Sequence, residues 1–269
     1  MATDAHTHLL PMRLAEKIRR FFADFMIEDE LSYTLDYREL LQSHAAAGFD
    51  TVWNLPYAHK AGMAARLNES MLEVADEYGN EGVSIVSGCT VHPDDKDPAD
   101  DLRTAVASGA GVLKLHCSVG DYEPTDPRLS DVYLAAGELR VPVTIHAGHS
   151  ITGHTEVSEL APIAQAVADH PDTTFVLAHA GHHSYPEAME LLGLHANLLC
   201  DLTPVIYEPV PLTRDDAERF NDRLLFGTDA PNTGRSAAQL LDYLRSIGIS
   251  DATFHQITSE NASALLAQR

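Results

Sequence analysis

The chain has too few cations to bind a polyanion. Lysine and arginine together number 18 against 40 aspartates and glutamates, a formal charge of −22, and only Lys17, Lys60, Lys96 and Lys114 are lysines. A nucleic-acid partner is therefore not expected. Cysteine is as sparse: Cys89, Cys117 and Cys200 are odd in number, far apart, and each lies in or beside an apolar run. That spacing excludes a paired-cysteine zinc site and predicts reduced core thiols in a reducing compartment. No apolar run reaches the ~18 residues that would cross a bilayer, so no membrane partner is expected. The opening MATDAHTH lacks the basic segment, apolar core and cleavage site of a secretory signal, which predicts a cytoplasmic protein. Linkers, low-complexity stretches and short internal repeats are missing as well.

What is present is an alternation of short β-rich apolar stretches with longer amphipathic ones. Strands are predicted at Thr3–His8, Thr51–Leu55, Val83–Thr90, Val112–Cys117, Val143–Ala147, Thr174–Ala180, Asn197–Leu202 and Leu224–Asp229. Between them lie helical patterns at Asp36–Ala47, Ala64–Tyr78, Pro98–Ala107, Ser130–Leu139, Val157–Asp169, Tyr185–Leu194 and Ala237–Ile247. Parallel strands need helical crossovers, and eight in series close into a (β/α)₈ TIM barrel, which at ~250 residues commonly forms one domain. The whole chain, 1–269, is read as that single domain. An open doubly wound sheet would announce a glycine-rich phosphate loop after its first strand, where HTHLLP stands instead. An extra helix at Pro11–Phe25 is placed over the mouth, as a lid or as rim packing, and SENASALLAQR reads as a closing helix capped near Ser259.

Alternate residues of a strand share a face, so Asp4, His6 and His8 of DAHTH are expected to project together. Two such imidazoles can grip one metal ion, and an adjacent acid can orient an imidazole. His146 closes PVTIHAG, His179 closes FVLAHAG and Asp229 closes LLFGTDAP, each after an apolar run. Catalytic groups of barrel enzymes come from the C-terminal ends of several strands. Core histidines capping a strand would account for one or two of these positions, and poorly for four imidazoles and a carboxylate at four strand ends. In GVLKLHCS, Val112, Lys114 and His116 share one face and Leu113 and Leu115 the other, which turns Lys114 inward. A buried lysine must be paired or neutral. Among the other histidines that follow strand ends, His92, His116, His149 and His182 are candidates for substrate contact, together with Trp53.

The ordered set DAHTH, KLH, IHAG, LAHAG and FGTDAP, spread over Asp4 to Asn261, resembles the amidohydrolase superfamily, and within it the amidohydrolase-related (amidohydrolase 2) branch of hydrolases and decarboxylases. The resemblance implies a metal site from His6, His8, His146, His179 and Asp229. It implies that Asp229 also moves protons, and that His179 either holds a second ion or hydrogen-bonds a developing oxyanion. One or two divalent ions are implied, zinc first by ligand chemistry, with manganese or iron(II) as alternatives. Some members carboxylate the strand-four lysine to bridge two ions, making Lys114 a candidate bridge; an ion pair with Asp229 or with a substrate acid is the competing role.

The activity implied is hydrolysis of a small amide, lactone or ester by a metal-activated hydroxide, since a divalent ion lowers the pKa of its water from about 16 to about 7. Non-oxidative decarboxylation of a small aromatic or unsaturated carboxylic acid is the alternative. A metal-dependent deoxyribonuclease would carry a glutamate at the strand-four position, and the charge of −22 opposes it. A barrel that kept metal and lost catalysis would lose Asp229, which is present. The expected partner is a small molecule, and a homo-oligomer stays open beside a monomer.

The acid is spread over segments such as DEYGNEG, HPDDKDPADD and TRDDAERFND between apolar runs, forming a solvated coat and no tail. We read the coat as an adaptation to high salt, where screening removes its self-repulsion; ordinary acidity is the alternative. On that reading the melting temperature rises steeply with potassium chloride into the molar range. A flat melting series would leave ordinary acidity as the account.

Overall fold

Strand β1 (Ala2–Thr7) is followed by β2 (Phe49–Asn54), β3 (Ser84–Cys89), β4 (Val112–Leu115), β5 (Val143–Ile145), β6 (Phe175–Leu177), β7 (Leu198–Asp201) and β8 (Leu224–Leu225). Each pairs in parallel with the next, in sequence order, in a computed structural model that describes residues 2–23, 31–147, 156–206 and 208–268. The sheet returns on itself. Ala5 N donates to Phe226 O at 2.8 Å, Asp229 N to His6 O at 2.9 Å and His8 N to Ala230 O at 2.7 Å. Crossovers run through α2 (Tyr37–Ala46), α3 (Ala64–Tyr78), α4 (Pro98–Ala107), α6 (Ser130–Leu139), α7 (Glu156–Asp169), α8 (Tyr185–Leu194) and α9 (Arg214–Arg219), with α10 (Ala237–Ser246) following β8. A single turn, α5 (Cys117–Gly120), follows β4, and α11 (Asp251–His255) and α12 (Asn261–Ala267) close the chain. The molecule is a one-domain (β/α)₈ barrel, as the alternation of strand and helix patterns predicts.

Helix starts are written locally. The Asp36 carboxylate accepts from the Arg38 and Glu39 amides at the head of α2, and Asp97 caps α4 with Pro98 in its first turn. Ser236 and Gln239 form a reciprocal capping box on α10. Strand alternation then sorts side chains between two apolar layers. Ala5, Trp53, Leu55, Val112, Val176, Leu199 and Leu225 pack together inside the barrel with Ala262 and Leu265 of α12. Leu113 and Leu115 join the layer between strands and helices, so Lys114 does point inward and is fully buried. All three cysteines are buried, and none is in a disulfide.

The structure departs from the sequence pattern at three places. Strands stop earlier than predicted: β8 ends at Leu225, and β6 ends at Leu177, where the chain soon turns into left-handed backbone at His179 (φ 58°). The closing helix starts earlier than Ser259. The Ser250 hydroxyl accepts from Thr253 N and caps α11, the helix runs on through a wide turn at Gln256–Glu260, and Ser259 lies buried inside it. The extra helix is α1 (Met12–Ala23), bolted to the rim by Arg19, whose guanidinium donates to the carbonyls of Tyr33 and Pro231 at 3.1–3.2 Å. Phe25 lies outside the described residues.

Candidate metal centre

The strand ends converge on a buried group. Ligand atoms of His6, His8 and Asp229 lie within 4.8 Å of one another. Asp229 Oδ1 is 3.1 Å from His8 Nε2 and 3.8 Å from His6 Nε2. The closeness of β8 to β1 depends on Gly227, where a Cβ would stand 2.2 Å from Thr203 Oγ1 and 2.9 Å from His6 Cβ. Beside this triad is a second pair: His179 Nε2 lies 3.2 Å from His146 Nδ1, and the His146 ring stacks on His116 at 3.7 Å. Lys114 Nζ sits 3.2 Å from His6 Nε2.

Each imidazole is oriented from behind. His6 Nδ1 donates to Asp201 Oδ2 at 2.8 Å, and His8 Nδ1 donates to the Leu55 carbonyl at 2.5 Å. Since the carbonyl only accepts, His8 Nδ1 carries a proton and Nε2 faces inward; the Asp201 carboxylate places a proton on His6 Nδ1 in the same way. The other Asp201 oxygen accepts from the amides of His179 at 2.9 Å and Thr203 at 3.2 Å. His179 Nδ1 in turn donates to Thr203 O at 3.3 Å.

The electrostatics follow from burial. Desolvation drives the His6 ring down to about 3, with the Lys114 charge acting in the same direction, so the ring is neutral at neutral pH. Burial lowers His116, His146 and His179 too. It would raise the Asp201 carboxyl, but the electrostatic interaction and hydrogen bond with His6, with His179 and Lys114 acting in the same direction, outweigh it and hold the group below the usual carboxylate range. Asp229 is likewise held low against its burial, chiefly by the hydrogen bond and charge of His8. Burial pushes the Lys114 ammonium down to about 8 against the pull of Asp201 and Asp229. The Tyr57 phenol is raised by burial and by the Asp229 charge, and stays a protonated donor.

This donor set fits a divalent metal ion. Imidazole nitrogens and an ionised carboxylate are the ligands such ions take from proteins. With its Nδ1 turned to the Leu55 carbonyl, His8 points Nε2 at the Asp229 carboxylate at 3.1 Å, a contact in which a metal ion can take the place of a shared proton. Above the triad opens a cavity of about 930 Å³, with Tyr57, His116, His146, His179 and Asp229 at its inner end and α1 and α3 on its walls.

The amidohydrolase family model matches residues 3–267. The chain belongs to the amidohydrolase family. Its members are metal-dependent enzymes acting on small molecules, and the His/Asp group described above is where this chain could hold such an ion. An uncharacterised TIM-barrel protein from Bordetella bronchiseptica superposes with a TM-score of 0.75 at 19% identity, covering 99% of both chains. A 5-carboxyvanillate decarboxylase from Sphingomonas paucimobilis gives 0.70 at 12% identity over 99% of this chain and 98% of that one. A 4-oxalomesaconate hydratase from Rhodopseudomonas palustris gives 0.66 at 18% identity over 100% and 96%. No curated protein sequence matches the chain.

Within this amidohydrolase, the structure brings together His6, His8, His146, His179, Asp229 and Lys114, with His116 stacked on the group. Other sequence candidates go elsewhere. His92 is buried with Nε2 3.0 Å from Gly120 O, and its ring meets Tyr122 edge-on. Trp53 fills the barrel interior and does not line the mouth cavity. His182 faces a separate groove of about 1110 Å³, where it, His183 and Glu208 form another group with ligand atoms within 4.8 Å. His149 lies outside the described residues.

Asp4 does not orient a ring of the triad. The β1 register slips between Asp4 and Thr7, so Ala5 turns into the barrel and Asp4 points outward. There it accepts from the His6 and Thr228 amides, the Thr228 hydroxyl and the His44 ring of α2. The orienting acid is Asp201, which sequence reasoning passed over. Its signal was available, a lone acid closing the apolar run NLLCD as Asp229 closes its own.

In Asp201→Asn, whichever way the amide is turned, its NH₂ meets either the His6 ring donor or the two backbone amides. Facing His6, it would drive the ring proton to Nε2 and remove an inward lone pair. Metal affinity measured by competition with a chelator should fall about 10- to 100-fold while the folded spectrum is kept. An unchanged affinity would show that Asp201 does not position His6.

Proposed function

We propose that the chain is a metal-dependent hydrolase acting on the carbonyl of a small amide, lactone or ester. The observation that carries this reading is the meeting of His6, His8 and Asp229 at the inner end of a cavity of small-molecule size. Bound by this triad, with His146 and His179 adjacent, a zinc ion (or manganese or iron(II)) would supply a Lewis acid that polarises a carbonyl and acidifies water.

The chain's own residues then divide the remaining work. Asp229, held ionised, accepts a proton from the attacking water at a carboxylate oxygen and returns it to the leaving amine or alcohol. Asp201 and the Leu55 carbonyl keep the His6 and His8 rings aimed. Tyr57, whose ring meets His8 edge-on at 5.5 Å, is the protonated donor placed to hold a substrate oxygen. His179, with its Nδ1 proton on Thr203 O, presents Nε2 as an acceptor; in the neutral state it suits proton acceptance or ligation better than oxyanion donation.

A second reading is supported by Lys114. As an ammonium it would repel a second cation and draw a substrate carboxylate toward the triad, which suits decarboxylation. As an uncharged amine it could form a carbamate bridging a second ion at His146 and His179, which suits hydrolysis of uncharged carbonyl compounds.

The test is turnover on a panel of lactones, aryl esters and anilides, with carbon dioxide release from aryl carboxylates as the second arm. Activity should vanish on chelation and return with zinc or manganese. Asp229→Asn should keep the fold and lose turnover by about 10²- to 10⁴-fold. Near-normal turnover in that variant would remove Asp229 from proton transfer, and activity confined to the carboxylates would replace hydrolysis by decarboxylation.

A further inference from the structure

Charge is distributed in an unexpected way around the mouth. Over the whole chain acids outnumber bases by 40 to 18. Among the described residues that line the mouth cavity the balance inverts: Arg13, Lys17, Lys60 and Arg66 face a single acid, Asp229, which sits at the inner end. Two of the four lysines stand at this rim, and a third, Lys114, is buried in the barrel close to the triad.

Three of these four rim cations are not absorbed by the acidic coat among the described residues. Arg66 is shared with Glu69 at 3.0 Å and Glu73 at 3.5 Å, on its own helix. Arg13, Lys17 and Lys60, all exposed, form no ion pair among the described residues. Arg13 and Lys17 are four residues apart on α1, while Lys60 comes from the segment joining β2 to α3. Both lysines line the cavity together with His59, whose ring is lowered by burial and then by the charges of Lys60 and Lys17. Cations placed only to neutralise the coat would pair with it. A low-dielectric cleft lined by one sign of charge instead focuses the opposite sign, most sharply when the surrounding surface repels it.

We propose that this rim is an anion-binding collar. In it Lys17 and Lys60 select substrates whose reactive carbonyl sits on an apolar body ending in a carboxylate or similar small anionic group. Between collar and triad the cavity walls are apolar, with Leu14 and Ile18 from α1, Met63 and Leu67 at α3, and Val205 and Ile206 after β7. A ligand of that class would bury its apolar body there and leave its charge at the rim. The proposal rests on the hydrolase reading only in taking this cavity as the substrate's.

The test is calorimetric titration of the purified protein with 4-phenylbutyrate and 4-phenylbutan-1-ol, which share an apolar body and differ in charge. It is repeated after chelation, so that carboxylate binding to a metal cannot contribute. The acid should bind at least about tenfold more tightly than the alcohol in both preparations. This preference should shrink with added salt, fall below about threefold in Lys17→Met/Lys60→Met, and survive in Lys17→Arg/Lys60→Arg and in Lys96→Met. Equal affinities, a preference that outlives the double methionine variant, or saturable binding of neither probe would overturn the collar. Metal-dependent turnover is read separately: its absence with the charge preference intact refutes the hydrolase alone, and the reverse pattern refutes the collar alone.

Discussion

The structure of the site depends on one buried carboxylate. Asp201 closes β7 and has three donors within 3.2 Å: the His6 ring, the His179 amide and the Thr203 amide. It therefore links β1, the turn after β6 and the segment after β7 in one charge-assisted cluster. A carboxylate this deep is stable only when its hydrogen bonds replace water, and here the replacement also fixes which His6 nitrogen carries the proton. The left-handed turn from His179 to His182 is the backbone consequence. It aims the His179 amide at Asp201 while turning the ring toward His146.

From that anchor the electrostatics of the barrel follow. An apolar interior closed by Trp53, Val112, Val176 and Leu225 makes every ion near it expensive. His6, His116, His146 and His179 respond by staying neutral, while Asp201 and Asp229 stay charged because imidazoles surround them. Neutral nitrogen donors around an ionised carboxylate are a set prepared for a divalent cation. Outside, the charge order reverses twice, from a rim carrying cations to a surface carrying the acid excess.

Much of this was readable before any coordinates. The barrel followed from alternating strand and helix patterns, the inward turn of Lys114 and the pairing of His6 with His8 from two-residue periodicity, and His146, His179 and Asp229 from polar side chains that close apolar runs. The failures have physical causes. Period-two reasoning assumes an unbroken strand, and the slip between Asp4 and Thr7 sent Asp4 to His44 and left the orienting role to Asp201. A strand's end says little about how far its loop travels, so His92 and His182 follow strands yet face Gly120 and an outer groove. Trp53 follows the alternation faithfully, one layer too deep. The cationic rim has no linear signature at all, since Lys17 and Lys60 line one cavity only when α1 packs at the mouth.

The central claim is that the cluster of His6, His8 and Asp229 is a metal centre. Elemental analysis of protein purified without chelator tests it most directly, alongside a His6→Ala/His8→Ala variant. The account predicts about one or two equivalents of divalent transition metal per chain, zinc foremost, and loss of that metal in the variant. Under about a tenth of an equivalent of every transition metal in the wild-type protein would contradict it.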